Sequence, residues 1–166
     1  MKNGGSKKFV FAKDQKECDD IWYSRKVALW SAMEFLPGSR CWTTDVCVPI
    51  SQLPVIIAEI QADTLREGIV GPIVSHAGDG NIHSLLLFRN DEELKKVEGL
   101  VHRMIKRAQE LGGTCTGEHG IGQGKIKYME GELGSGTVGL LRDIKEMIDP
   151  QNIMVSASFA FLSVFR

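Results

Sequence analysis

Val70-Gly71-Pro72-Ile73-Val74-Ser75-His76-Ala77-Gly78-Asp79-Gly80-Asn81-Ile82-His83-Ser84-Leu85-Leu86-Leu87-Phe88 reads as two strands and a turn. Val70 to His76 and Ile82 to Phe88 are runs rich in β-branched and large apolar residues, the types that suit a pleated, half-buried surface. Between them, Gly78-Asp79-Gly80-Asn81 supplies residues that tolerate the positive φ angles of a tight hairpin. A hairpin pairs its strands antiparallel, and this one sets the class of the sheet.

On the N-terminal side, Cys41 to Val48 alternates as a third strand and Pro49 closes it. Ser51 is positioned to cap a helix from Leu53 to about Glu67, with Gly68 just past its end. Earlier still, Lys8 to Ala12 reads as a short strand. Asp14 then caps a helix that runs to about Leu36, with Ile21, Ala28, Ala32 and Phe35 near one face, and Pro37-Gly38 ends it. On the C-terminal side, Asn90 opens the clearest helix. Leu94, Val97, Val101, Met104, Ile105, Ala108 and Leu111 recur at three-and-four spacing, Glu93 completes a capping box, and Gly112-Gly113 stop it. Two short helices, about 123–132 and 137–148, finish the ordered part. The order is β-α-β-α-β-β-α, then short helices. Too few strands alternate with helices for a doubly wound sheet, so the expected class is α+β, an antiparallel sheet with helices on one face.

The chain has 166 residues, 43% of them hydrophobic and 25% charged, with a formal net charge of −1. Such a balance supplies no electrostatic attraction for nucleic acid or for an anionic membrane. Cys18, Cys41, Cys47 and Cys115 show neither a Cys-x-x-Cys pair nor disulfide-framework spacing; they read as reduced thiols of an intracellular protein. The start lacks the apolar run of a signal peptide. The apolar end, 153–165, is too short to span a bilayer as a helix.

Three of the four histidines fall in two glycine-rich stretches, Ser75 to His83 and Glu118-His119-Gly120-Ile121-Gly122. Glycine next to polar side chains lets a backbone or ligand approach closely. His76 and His83 flank the hairpin turn, so facing strands can bring both imidazoles to one ion, with Glu118 adding a carboxylate from a separate loop. Two neutral histidines and a carboxylate suit a divalent ion such as Zn²⁺ or Mn²⁺ with positions left open. His119 points elsewhere in an extended chain, which makes it a general-base candidate. His102 lies off the apolar stripe of its helix and is assigned to solvent. Arg25 and Lys125 are anion-binding candidates, although each by itself reads first as a surface cation. Asn81 is first a turn former and secondly a hydrogen-bonding partner for a bound group. Residue types alone leave the reaction open, since a metallohydrolase and a non-haem iron oxygenase both use two histidines and a carboxylate.

The chain resembles the C-terminal half of the flavin-linked D-2-hydroxy-acid dehydrogenases, the cytochrome-linked mitochondrial D-lactate dehydrogenases among them. The resemblance rests on Thr44-Asp45-Val46-Cys47-Val48-Pro49, His76 to His83, Glu118 to Gly122 with Lys125, and Asp149-Pro150-Gln151-Asn152-Ile153-Met154, and covers about residues 7–154. It implies a ferredoxin-like substrate or cap domain over 1–113, a Glu-His loop and helical segment over 114–154, and an atypical tail over 155–166. It further implies that His76, His83 and Glu118 hold the metal, that His119 takes the hydroxyl proton, and that Arg25 binds the substrate carboxylate. By the same resemblance FAD accepts the electrons, cytochrome c receives them, and the setting is mitochondrial. No Gly-x-Gly-x-x-Gly follows a strand, so the flavin domain is expected to lie outside this chain, and the chain alone is expected to be inactive. The alternatives are a non-catalytic metal- or partner-binding isoform and a metal-dependent hydrolase.

Overall fold

A computed structural model describes residues 11–154. The expected strand at 8–12 and the apolar tail fall wholly or largely outside that range. Two compact units divide at Pro37–Gly38.

The first unit carries α1 (Gln15–Lys26) and α2 (Ala28–Glu34). Asp14 caps α1 as expected: its carboxylate accepts the Glu17 N–H at 2.8 Å. The single helix expected to run to Leu36 is two. They meet at Val27, whose ψ of 4° departs from the helical value.

In the second unit the hairpin is β3 (Ile73–His76) and β4 (Asn81–Phe88), joined through Ala77–Gly80. Gly80 takes a φ of 73°. β3 begins three residues later than expected because Pro72 has no N–H to give to the ladder. The carbonyls of Val70 and Pro72 still accept from Leu87 and Leu85. On the other side of β4 lie β1 (Arg40–Thr43) and β2 (Val46–Cys47), both antiparallel to it. The expected single strand over 41–48 is thus interrupted, but its register is not. Thr43 faces Leu85 and Val46 faces Ile82, which leaves Asp45 level with His83. The interruption arises because the Thr44 hydroxyl accepts the Ser84 N–H at 2.7 Å. The expected α+β antiparallel sheet is therefore found, with β4 at its centre.

Alternation along β4 sets Ile82, Leu86 and Phe88 on one face and Asn81 and His83 on the other, where Leu85 and Leu87 are also buried. Ile82 and Leu86 are fully buried, and Phe88 nearly so. Their face packs against α3 (Leu53–Glu67) and α4 (Asp91–Glu110) through Ile56, Ile60, Val97, Leu100, Met104 and Ile105. Each such side chain contributes about 1.5–3 kcal/mol on burial. Ser51 does not cap α3; it sits inside a 3₁₀ turn, Ile50–Gln52, that leads into the helix. Gly68 ends α3 in the left-handed region. Asn90 and Glu93 form the expected capping box of α4, accepting the Glu93 and Arg89 N–H groups.

The two short helices after the Glu-His loop form one span, α5 (Gly122–Ile148), broken at Gly134, where φ is 78° and ψ 157°. Tyr128 of α5 closes the core, and its hydroxyl lies 3.1 Å from His102 Nδ1. His102 is therefore exposed but not solvated alone. No described helix is long and apolar enough to cross a membrane.

Candidate metal centre

Asn81 and His83 lie on the face of β4 opposite Ile82. In the register of β3, Val74 faces His83 and His76 faces Asn81, so the two imidazoles are diagonal neighbours across the ladder. Their ring centroids stand 5.5 Å apart, nearly perpendicular. The loop between α4 and α5 passes over this end of the sheet. It is pinned where Cys47 and Thr114 exchange backbone hydrogen bonds at 3.2 and 2.8 Å. Glu132 strengthens that anchor by accepting from Cys115 N–H at 2.8 Å and from Gln109 at 2.9 Å. Burial raises the Glu132 carboxyl and these donors outweigh it, so its pKa lies below the usual value.

Glu118 hangs from this loop. Its Oε1 lies 2.9 Å from His83 Nε2 and 3.3 Å from His76 Nε2. One ligand atom from each of His76, His83 and Glu118 falls within 4.8 Å of the others. The tautomer of His83 is set by its other nitrogen. Nδ1 lies 3.0 Å from the Thr44 carbonyl oxygen, which only accepts, so Nδ1 carries the proton and donates. Nε2 then faces a carboxylate oxygen at 2.9 Å, where a shared proton or a bound cation would join the two. Ligand atoms about 2.0–2.2 Å from a tetrahedral or octahedral ion lie about 3 Å apart, close to the two Glu118–histidine separations. The donor set thus fits a divalent ion. His76 and Glu118 are partly exposed, with 42% and 48% of their side chains open, so an exogenous group has access.

His119 does not point away as an extended loop requires. Its Nε2 is 3.6 Å from Glu118 Oε1 and its ring 5.6 Å from that of His83. The loop curls because Asp45 draws it in. That carboxylate accepts the backbone N–H groups of Gly117, Glu118 and His119 at 2.9–3.3 Å. It also accepts the Thr116 hydroxyl at 2.9 Å and Asn81 Nδ2 at 2.7 Å. Burial raises its pKa, yet these donors together hold it well below the carboxylate range. Asp45 had no role in the sequence reading beyond marking a strand. The available signal was its parity: it alternates onto the face of the strand that meets His83.

Two predicted substrate-binding residues turn toward Asp45. Lys125 Nζ donates to the Asp45 carbonyl at 2.6 Å and lies 3.4 Å from its carboxylate. Asn81 Nδ2 is occupied as described, while the buried Asn81 Oδ1 has no partner among the described residues. Arg25 lies in the last turn of α1, in the other compact unit. All four cysteines are free. Burial raises the thiols of Cys41 and Cys47, and burial followed by Glu132 pushes Cys115 up to about 11. These three are poor thiolate ligands at neutral pH.

Residues 1–157 match the family model described as FAD linked oxidases, C-terminal domain. The chain belongs to the FAD-linked oxidase family. Among its relatives, D-lactate dehydrogenase [cytochrome] 1, mitochondrial, of Saccharomyces cerevisiae is 47% identical over 88% of this chain and 26% of its own length. The probable mitochondrial D-lactate dehydrogenase of Danio rerio is 42% identical over 92% of this chain and 31% of its own. Glycolate oxidase subunit GlcD of Bacillus subtilis is 30% identical over 92% and 33%. The chain thus spans about a quarter to a third of these relatives' length. The flavin of the family description is not assigned a binding glycine loop by the described residues. Their Gly-x-Gly-x-x-Gly spacing, Gly134 to Gly139, lies inside α5 rather than behind a strand.

Proposed function

We propose that this chain is the substrate- and metal-binding part of an FAD-dependent dehydrogenase that oxidises D-lactate, or a related D-2-hydroxy acid, to the 2-oxo acid. Electrons pass to cytochrome c, and the setting is mitochondrial, as the relatives' names suggest. The observation that carries the reading is the convergence of His83 Nε2 and His76 Nε2 on one oxygen of the Glu118 carboxylate, with His83 oriented by the Thr44 carbonyl.

In this reading His76, His83 and Glu118 hold Zn²⁺ or Mn²⁺, which when bound supplies Lewis acidity to a coordinated hydroxyl. FAD, when bound, supplies the two-electron acceptor. The chain's own residues act on the substrate. His119 lies beside the ligands and takes the hydroxyl proton. Arg25 provides a guanidinium for the substrate carboxylate. Asn81 Oδ1, a buried acceptor, suits a hydroxyl donor. Lys125 balances the negative charge of Asp45 and adds positive potential toward an anionic substrate. The chain alone is inactive because the flavin is held by residues outside it.

Zinc titration of the purified chain against a competing chromophoric chelator tests this directly. One ion per chain is expected, lost in His76→Ala and His83→Ala, with no flavin colour and no D-lactate oxidation. A chain that binds neither Zn²⁺ nor Mn²⁺ overturns the metal assignment. A yellow chain that turns over D-lactate overturns the inactivity. Flavin-free hydrolysis of a model ester points to a hydrolase instead.

A further inference from the structure

We infer that Asp45 is the positioning residue of this site: its carboxylate gathers the backbone of Gly117, Glu118 and His119 and so sets Glu118 across from His76 and His83. The inference rests on the metal reading and deepens it, since it names what builds the site before any ion arrives.

A buried carboxylate ordinarily meets one cation or a helix N-terminus. Asp45 has such a cation in Lys125 at 3.4 Å, and in addition takes three successive backbone N–H groups of the loop that carries a ligand and the proposed base. That loop is rich in glycine: Gly117, Gly120 and Gly122 fall within six residues, and the last two have φ of 73° and 51°. Such a segment loses much conformational entropy on ordering, so something must hold it. Hydrogen bonds to a charged carboxylate are stronger than those between neutral groups. Lys125 closes the arrangement from α5 through the Asp45 carbonyl.

The preceding residue does a related job. The Thr44 carbonyl orients His83 through Nδ1. Neighbouring residues in the break between β1 and β2 therefore place two of the three ligands, one through each residue. Partners that orient ligands in this way affect metal affinity by about 10–100-fold.

The grip also explains Gly117. Its φ is ordinary, so conformation does not demand glycine there; space does. A Cβ at 117 would lie 1.8 Å from Asn81 Nδ2 and 2.8 Å from Asp45 Oδ1. A side chain at this position must displace the Asn81 amide, the Asp45 carboxylate or the loop itself, and each of these disturbs the grip.

The test combines a thermodynamic cycle with amide hydrogen exchange on the 166-residue chain. Zinc affinity is measured by chelator competition for the wild type, Asp45→Asn, Glu118→Ala and the double variant. Asp45→Asn should weaken zinc at least about 10-fold, and should add nothing in the Glu118→Ala background, because it acts through Glu118. Unchanged affinity, or an equal loss in both backgrounds, overturns the inference. Gly117→Ala reaches the same end without touching Asp45; it should lose zinc affinity in parallel, and wild-type affinity in that variant counts against the inference even where Asp45→Asn fails to fold. Exchange needs no ion. In Asp45→Asn the amides of Gly117, Glu118 and His119 should lose protection while those of α4 keep theirs; protection unchanged at the loop, or lost everywhere, overturns the inference. A wild type that binds no zinc defeats the metal reading alone, and exchange still judges Asp45.

Discussion

Along β4, Ile82, Leu86 and Phe88 point into an apolar core closed by α3 and α4, whereas Asn81 and His83, one residue out of phase, point into a polar site closed by a loop. The core face is held by area. Its contacts are many, individually weak and insensitive to direction. At its N-terminal end the other face is held by a few directed hydrogen bonds converging on Asp45, while Leu85 and Leu87 further along it are buried as well. There His83 Nε2 and His76 Nε2 converge on Glu118 Oε1, where a shared proton or a cation would join them. A single strand thus carries a stabilising surface and, at one end of its other face, a polar cluster open to a ligand.

The largest expected effect lies on the core face. Leu86 is fully buried, so Leu86→Ala should cost about 2–5 kcal/mol, lowering Tm by on the order of 10 °C in a chain of this size. Thermal unfolding followed by circular dichroism reads it. A loss below about 1 kcal/mol would mean that the core face is not the one carrying the fold.

His83→Ala should act the other way round. Without metal it removes the hydrogen bond to Thr44, a net loss of about 1 kcal/mol. With zinc at about 100 times Kd, the wild type should gain about 2.7 kcal/mol, which the variant should lack. Parallel melts with and without zinc separate the two. If His83→Ala destabilises the metal-free chain as much as Leu86→Ala does, the division of β4 into two faces fails.

The core face was legible because hairpin alternation and the three-and-four spacing of α4 are local patterns, and the Asn90–Glu93 capping box is a local motif. Hence β4, α4 and the end of α3 at Gly68 stand where their residues predict. The metal ligands were legible as types, since His76 and His83 flank one turn and their proximity follows from strand pairing. The approach of Glu118 and His119 was not. It depends on Asp45, 72 residues before Gly117, and no local pattern reports a carboxylate that gathers backbone amides from so far along the chain. The break at Thr44-Asp45 is hidden for the same reason. It exists because the Thr44 side chain takes a backbone donor on β4, while its own N–H still reaches the Ser84 carbonyl at 3.0 Å.

The smallest expected effect sharpens the comparison at the anchor of the loop. Glu132 holds the loop's first residues through Cys115 N–H and Gln109, and its pKa is depressed in the folded chain. A group with a lower pKa folded than unfolded takes up its proton more readily when unfolded, so acid favours unfolding. Its contribution is complete above the unfolded value of about 4.3 and is lost as pH falls through the folded value. As pH falls through the carboxylate range the loop amides near Thr114–Cys115 should therefore lose exchange protection before those of α4, which is held mainly by apolar contacts and whose surface pair with Glu59 adds little. Glu132→Gln keeps the size and removes the titration. It should flatten this acid dependence at the loop and leave the Leu86 face untouched. Equal acid sensitivity in Glu132→Gln and the wild type would assign the loss to other carboxylates, and uniform loss across α4 and the loop would show that the two faces of β4 do not open separately.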